Sequence, residues 1–583
     1  MNILNLIKKL FKQALENSYG SLASSEIIDI TQSMQPSFGH YQCNSAMRLA
    51  KVLKKKPRDI AQTLVDNLPK NSDEQLVIEK VEIAGPGFIN VWLDISFLQN
   101  SIQGILSDVR GGIPPLDKKQ KVVVDFSSPN IAKEMHVGHL RSTIIGDAIA
   151  RLFEFLGHDV LRLNHLGDWG TSFGMLIAYL KRHQQSVLIG RYKANLSELV
   201  QWYREAKQCF DQEPIFKKYS QLEVVALQGG NPEALKAWEI ICKVSQTAYR
   251  EVYDLLDVDL IDRGESFYNP YLSQIVEELS ELGLIKSSNG AKCVFIEGFL
   301  NREGDPLPLI VQKSDGAYNY ATTDLAAIKH RVKEEKADRI IYVTDAGQAL
   351  HFSMVFETAK SAGFYLANQV KLDHVTFGLV LRSDGKKFRT RSGETERLID
   401  VLRHAISRAE EILKQKGGDD GQEVSTDLAR ALGINAIKYA DLSSHRTSDY
   451  VFSYDKMLSF EGNTAAFLMY AYVRISGIKR KLQDKNISYN RTSNICLIHS
   501  TEITLALHLL RFPEAVDSMT RDLLPHRLTD YLYGLAECFH AFFRDCRVEG
   551  DEYQDSRLKL CETVQHVLRI GFSLIGLKTV DKM

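Results

Sequence analysis

The sequence predicts a multidomain α/β fold: a parallel-sheet domain carrying a helical insertion, an α+β domain before it and an all-α domain after it. Three observations carry this. KVVVDF (121–126) is a β-branched run followed by a helix-periodic stretch and then by the strand-like HDVLRLN, a unit of about 45 residues. Two strands joined by a helix in this way lie parallel. Strand-like and helical runs alternate again over 306–381, and from Thr426 onward the pattern is almost wholly helical.

Taken in order, MNILNLIKKLFKQALENSYG (1–20) sets Ile3, Leu6, Ile7, Leu10 and Ala14 on one face and its lysines on the other, and it has no arginine. That is the pattern of a first domain helix rather than a transit peptide. PSFGHYQCN (36–44) and the strand-like VEIAGPGFINVWL (81–93) complete an α+β domain over 1–110. The Gly- and Pro-rich RGGIPPLDKKQ (110–120) is the seam after it. The sheet domain is expected over 118–400. In its first helix Leu140, Ile144, Ala148, Leu152 and Leu156 form a stripe that Gly157 closes as C-cap. Residues of about 183–300 are mainly helical and read as an insertion, with KCVFIEGFL (292–300) as a strand. PLPLIVQ (306–312), RIIYVTD (339–345) and HVTFGLVL (374–381), alternating with helices near 323–337 and 349–362, are expected to complete the parallel sheet. A helical connector is expected at 401–455, with a polar loop at 414–425. The helical domain follows at 456–583, with helices at 462–485, 501–518, 527–546 and 553–574.

Composition bounds the function. The 583 residues suit three or four domains at ~150 residues each. No run approaches the ~18 apolar residues of a membrane span, so no membrane partner and a cytoplasmic location are expected. The net charge of −1 means that any nucleic acid is held by local contacts, not by a basic field over the whole chain. Eight scattered cysteines without a C-x-x-C pair read as reduced thiols, not as a zinc or disulfide framework.

The chemistry concentrates in DFSSPNIAKEMHVGHLR (125–141), where a strand ends, a loop with Pro129, Asn130 and Lys133 crosses, and a helix opens on His136, Gly138 and His139. A helix N-terminus offers free N–H groups and a positive dipole end. The two histidines, at i and i+3, share the face of its first turn and can donate to phosphate oxygens. Gly138 leaves room for a nucleotide, and Lys133 adds charge. Together these read as an ATP phosphate site. For the four letters H-V-G-H alone, a metal pair or two surface histidines remain open, but no third ligand of the H-E-x-x-H kind is near, and no protein-held metal is expected.

The segment SSPNIAKEMHVGHLRSTIIGDAIARLFEFLGHDVLRLNHLGDWG resembles the signature of class I aminoacyl-tRNA synthetases, and specifically that of the arginyl enzymes. ESFY (265–268), KSDGAYNYATTDLA (313–326), IYVTDAGQALHF (341–352), DGKKFRTRSGE (384–394), YADLSSHR (439–446) and GNTAAFLMYAYVRI (462–475) extend the likeness, as does AGPGFINVWL (84–93) upstream. It implies a Rossmann-type catalytic domain, an N-terminal tRNA-contacting domain and a C-terminal anticodon-binding bundle. It also implies ATP and Mg2+ as co-substrates, with L-arginine and tRNA-Arg as partners, in a monomer.

The same resemblance implies residue roles. Asp125 and Asp324 match positions that hold the guanidinium, Tyr320 and Gln348 line that pocket, and Ser128, Asn130 and His136 read the α-amino and carboxylate end. On pattern alone, Asp324 and Tyr320 equally suit a helix cap and a core aromatic. The second nucleotide loop of the class reads KFRTR here, Lys387 to Arg391, with Thr390 in place of the motif's second lysine. Lys133, with help from Lys387, Arg389 and Arg391, is expected to supply the missing charge. For tRNA, KRKLQDK (479–485) and Phe467, Tyr470 and Tyr472 are candidates, and a packed helix core suits the aromatics equally. His40 and Asn44 stay open between a tRNA contact and a capping role. Two other readings compete: another class I nucleotidyltransferase, and a catalytically silent tRNA-binding paralogue.

Overall fold

The computed structural model describes residues 2–20, 28–33, 35–382, 384–386, 396–416, 425–485, 490 and 493–583. The chain forms two compact units: Leu116–Ser459 with Leu574–Leu577, and Met1–Pro115 with Phe460–Ser573 and Lys578–Met583.

The first of these is built on a five-stranded sheet. Its strands are β1 (Lys121–Asp125), β2 (Asp159–Asn164), β3 (Ile261–Asp262), β7 (Arg339–Asp345) and β8 (Lys371–Phe377), in the order β8-β7-β1-β2-β3. Every pairing is parallel. Val122, Val123 and Val124 of the central strand are wholly buried, as a strand covered on both faces requires. The helix α1 (Val137–Leu156) crosses from β1 to β2, and Gly157 caps it in the left-handed region. The insertion packs α2 (Thr171–His183), α3 (Leu196–Gln212), α4 (Pro214–Gln228) and α5 (Pro232–Leu256) before β3. Next comes α6 (Leu272–Glu281), and then β4 (Ile285–Ser288), β5 (Ala291–Leu300) and β6 (Pro306–Gln312) form a separate antiparallel sheet.

PLPLIVQ therefore does not complete the parallel sheet. It is β6, an edge strand of the small sheet, and Pro306 and Pro308 explain why: a proline has no N–H to give to a central ladder. Between β6 and β8 lie α7 (Tyr320–Lys333), β7 and α8 (Ala349–Ser361). After β8 come β9 (Val380–Leu381), α9 (Leu398–Lys416), α10 (Thr426–Leu442) and β10 (Tyr450–Val451), and β10 pairs with β9. The buried Arg141 of α1 places Nε 3.2 Å from Asp441 of α10 and donates to the Ser448 carbonyl, which gives the YADLSSHR segment a structural task.

In the second unit, four antiparallel strands lie in the order Ile30–Gln32, Tyr41–Cys43, Phe88–Leu93, Ile78–Ala84, and the helix Ile3–Tyr19 buries Ile3, Ile7, Leu10 and Ala14. The helical part has Ala465–Asp484, Ser500–Leu510, Phe512–Asp522, His526–Asp545 and Gln554–Leu574. The stretch expected as one helix over 501–518 is thus two, and Pro513 sits in the first turn of the second, where its missing N–H costs nothing. Glu514 joins the two parts: it accepts from Tyr41 Oη at 2.6 Å, Gln32 Nε2 at 2.7 Å and the Leu4 N–H at 3.1 Å.

Candidate active site

The site lies at the carboxyl ends of β1, β2 and β7, where a doubly wound sheet binds ligands. The helix α1 opens with its own histidines. His136, in extended backbone, is the N-cap, and its Nδ1 accepts from the Gly138 N–H at 3.1 Å, while His139 Nδ1 accepts from the His136 N–H at 3.1 Å. Because both Nδ1 atoms accept, the ring proton of each neutral imidazole sits on Nε2, leaving an N–H donor on each ring. Burial lowers the pKa of both rings. For His139, with the charges of His136 and Lys133 adding to burial, the value falls to about 3. The rings stand 4.1 Å apart. They are neutral donors suited to phosphate or ribose oxygens, not cations. Gly138 serves the cap itself: a Cβ there would come within 2.9 Å of the His136 ring.

The loop before α1 is held in an uncommon shape. Ser127, Ser128 and Ala132 have φ of 73°, 48° and 59°, the left-handed region that non-glycine residues avoid. Tyr249 Oη of α5 lies 2.7 Å from the carbonyls of both Asn130 and Lys133, and Ser245 Oγ accepts from the Ala132 N–H. Asn130 and Lys133 are exposed along this loop. The Ser128 hydroxyl is already engaged: it donates to Asp125 Oδ1 at 3.1 Å and accepts from the His165 N–H at 3.3 Å.

Asp125 already has a partner within the protein: its Oδ2 lies 2.7 Å from Nη2 of Arg331, a residue of α7 that is 1% exposed. Asp324, also on α7, has Oδ2 2.6 Å from His351 Nε2, and the Tyr320 ring stands edge-on to His351 at 4.9 Å with Tyr320 60% exposed. Asn319, rather than Asp324, caps α7, so the capping alternative for Asp324 falls away. Gln348 is exposed in the turn that leads into α8.

A residue that the sequence reading left without a role completes the pocket. Glu265 follows β3, and its backbone N–H donates to the Leu166 carbonyl. Burial, then the charges of Asp324 and Asp168, push its carboxyl up to about 8. Asp168 itself is tied to Ser266 through Oδ1 and Oδ2 at 2.9 and 2.6 Å. That loop packs so closely that a Cβ at Gly264 would fall 2.1 Å from the Asp168 carboxylate. Burial with the charges of Asp324 and Asp168 thus keeps the Glu265 carboxyl protonated near neutral pH, and a cation placed beside it would favour its ionised form. The signal was in the sequence, since ESFY stood out, but only the fold brings 265 and 324 together.

Lys387, Arg389 and Arg391, with Thr390, lie outside the described residues. Among the described residues no group of three or more His, Cys, Asp or Glu side chains is placed to hold a metal ion. In the other unit, His40 Nδ1 accepts from the Leu93 N–H at 3.0 Å and its ring is part of the strand packing. Asn44 precedes the helix Ser45–Leu53 without a side-chain capping bond. Tyr472 is buried and Tyr470 exposed, stacked with Arg474, whose Cζ is 4.6 Å from the ring centre. Phe467 packs beside His540 and Tyr533. Within KRKLQDK, Lys479, Lys481 and Lys485 pair with Glu562 and Glu549.

A parallel sheet with a histidine-capped helix after its central strand defines a class I aminoacyl-tRNA synthetase catalytic domain. Comparison with known proteins agrees: the catalytic-domain model for class I (R) tRNA synthetases matches 101–454, the DALR anticodon binding domain matches 468–583, and the arginyl tRNA synthetase N-terminal domain matches 5–93. An arginine–tRNA ligase of Protochlamydia amoebophila is 58% identical over the whole of both chains, and one of Chlamydia caviae is 51% identical over the same span. The crystal structure of the Plasmodium falciparum arginyl-tRNA synthetase superposes with a TM-score of 0.86 at 34% identity, covering 100% of this chain and 99% of that one. The chain belongs to the arginyl-tRNA synthetase family.

Proposed function

We propose that this chain activates L-arginine with ATP and passes the arginyl group to the 3′-terminal adenosine of tRNA-Arg, with the site residues acting as follows. Asp125 and Asp324 hold the guanidinium, whose planar donor fork suits carboxylates, with the half-buried Glu265 as a further acidic group acting on the same site, and Tyr320 and Gln348 line its path. Asn130 faces the α-amino and carboxylate end. An arginine carboxylate oxygen attacks the α-phosphorus, the bond to the β-phosphate oxygen breaks, and pyrophosphate leaves. That step spreads negative charge over oxygens, so stabilisation is electrostatic. The Nε2–H donors of His136 and His139 and the N-terminus of α1 face the nucleotide, and Lys133 supplies the positive charge that Thr390 does not, with Lys387, Arg389 and Arg391. Magnesium enters on the triphosphate oxygens. The ribose hydroxyl of the tRNA then attacks the arginyl carbonyl carbon, an ester forms as the bond to the adenylate phosphate oxygen breaks, and AMP leaves.

The observation that carries this reading is the neutral histidine pair that caps α1 directly after the central strand of the parallel sheet, with His136 and His139 each leaving an Nε2–H free to donate. The acidic groups Asp125, Asp324 and Glu265 around the strand ends favour a cationic amino acid over the substrates of other class I nucleotidyltransferases, and a silent paralogue has no use for them. For the tRNA, the exposed Tyr470 on Arg474, with Phe467, offers a face on which unstacked bases can lie. The reading takes the chain as a monomer in the cytoplasm; among the described residues no helix is long and apolar enough to cross a membrane. Pyrophosphate exchange into ATP, run with each amino acid with and without arginine tRNA transcript, tests it. Exchange with arginine alone, dependent on tRNA, is the expected result. Exchange with another amino acid, or none while tRNA still binds, would overturn it.

A further inference from the structure

The loop that carries Asn130 and Lys133 holds its shape through its neighbours. Ser127, Ser128 and Ala132 all have left-handed backbone, a state that persists only where the surroundings impose it. Its backbone bonds are divided between two partners. The Pro129 carbonyl accepts from the Gly167 N–H at 3.1 Å, and the Ile131 N–H donates to the Gly167 carbonyl at 3.0 Å. The groups between and after these go to α5. Its Ser245 Oγ accepts from the Ala132 N–H at 3.0 Å, and its Tyr249 Oη lies 2.7 Å from the carbonyls of Asn130 and of Lys133. One turn further, Tyr253 Oη lies 2.9 Å from Ser127 Oγ. Ser245, Tyr249 and Tyr253 follow at intervals of one helical turn on one face of α5, and all three are buried. The last helix of the insertion is thus a ladder to which the loop is fastened.

Tyr249 is the rung that matters most for Lys133. A hydroxyl has one proton, so the two carbonyls share it, and that sharing closes the chain around Ala132, whose φ is 59°. Without the hydroxyl, the Asn130 and Lys133 carbonyl oxygens would face each other with no common donor and repel. Packing does little to replace it, since a cavity of about 290 Å³, lined by Glu134, Met135 and Arg397 as well as by Tyr249, adjoins this stretch. The chain runs from Lys133 directly into the His136 cap of α1. A shift of the turn therefore moves the lysine charge relative to the two histidine donors.

We propose that Tyr249, with Ser245 one turn before it, is a positioning residue for adenylate formation: it fixes the turn from Asn130 to Lys133 so that the Lys133 ammonium meets the nucleotide beside the α1 N-terminus. This rests on the reading of Lys133 as a charge that acts on the nucleotide. A double-mutant cycle on the full-length enzyme tests it, read as the single-turnover rate of adenylate formation at saturating ATP and arginine with tRNA bound. Tyr249→Phe removes only the hydroxyl. With Lys133 present it is expected to slow the rate by about tenfold or more, and in the Lys133→Ala background by no more than about twofold, because the turn then has no charge to place. The same factor in both backgrounds would make Tyr249 a general structural residue, and an unchanged rate with Lys133 present would leave it no task in the reaction; both results overturn the proposal. Lys133→Ala alone tests the underlying reading. A near-normal rate there removes Lys133 from the mechanism and the proposal with it, whereas a slow Lys133→Ala beside a Tyr249→Phe without effect rejects the positioning role only. If Tyr249→Phe does not fold, Ser245→Ala carries the comparison by freeing the Ala132 N–H. A loss of about threefold or more confined to the enzyme that keeps Lys133 supports the proposal, and its absence overturns it.

Discussion

At the scale of single residues, the protonation of Glu265 links the pocket to pH. Burial, followed by the charges of Asp324 and Asp168, raises its carboxyl to about 8, far above an unfolded glutamate. The folded, ligand-free protein therefore holds a proton that the unfolded chain gives up. Its contribution to stability is fully present below the unfolded pKa and is lost as the pH rises through about 8. Arginine binding runs the other way, because the guanidinium favours the carboxylate. Arginine affinity should rise between pH 6 and 8, with release of close to one proton per arginine at pH 7, measurable as a buffer-dependent binding enthalpy. Glu265→Gln should remove most of that slope and weaken binding by about 1.5–3 kcal/mol, roughly 10- to 150-fold, the worth of hydrogen bonds to a charged group. A slope that survives the substitution would take the titration away from Glu265.

At the scale of elements, β1, the loop and α1 form one device, and much of it was legible in the sequence. The apolar stripe from Leu140 to Leu156, the Gly157 cap and the i, i+3 histidines follow from helical periodicity and cap chemistry, which are local. What was not legible depends on packing between distant segments. Asp125 reads as a free carboxylate until α7 delivers Arg331 to it from 206 positions along the chain, and Glu265 gains its raised pKa only beside Asp324 and Asp168. PLPLIVQ reads as one more parallel strand until its prolines are set against the hydrogen bonds that a central ladder demands. The backbone of Lys133 is held in this loop by Tyr249, whose Oη donates to its carbonyl. Lys133→Ala should lower the adenylation rate a hundredfold or more, in the range found for removing one preorganised electrostatic contact (~10²–10³). The affinity for tRNA should stay within about twofold. Single-turnover adenylate formation and filter binding of tRNA measure the two separately, and near-normal adenylation would remove Lys133 from the mechanism.

At the scale of the whole molecule, the chain begins and ends in the same compact unit, so the N-terminal sheet and the C-terminal helices fold on each other across more than 450 residues of sequence. Closing so long a loop costs little more than closing a short one, since the entropy grows only with the logarithm of length. The contact must still be worth its ordering cost, and Glu514 is the group that makes it specific. Its carboxylate accepts from Leu4, Gln32 and Tyr41, and Arg511 nearby donates to the His40 carbonyl at 2.9 Å. Glu514→Ala would leave the Tyr41 hydroxyl and the Leu4 N–H without their acceptor beside buried side chains, at a cost of about 2 kcal/mol. Converted at 1.4 kcal/mol per factor of ten, that is a roughly 30-fold gain in local opening. Hydrogen exchange followed by mass spectrometry should show it as faster exchange in peptides covering 28–45 and 505–523, with those from 121–164 unchanged. Because the unit contains both the N-terminal and the anticodon-binding domains, tRNA affinity should fall in the same variant while arginine binding holds. Exchange that rises equally in 121–164 would mean that Glu514 supports the whole fold, and unchanged exchange everywhere would mean that the apolar contacts beside it join the two domains without it.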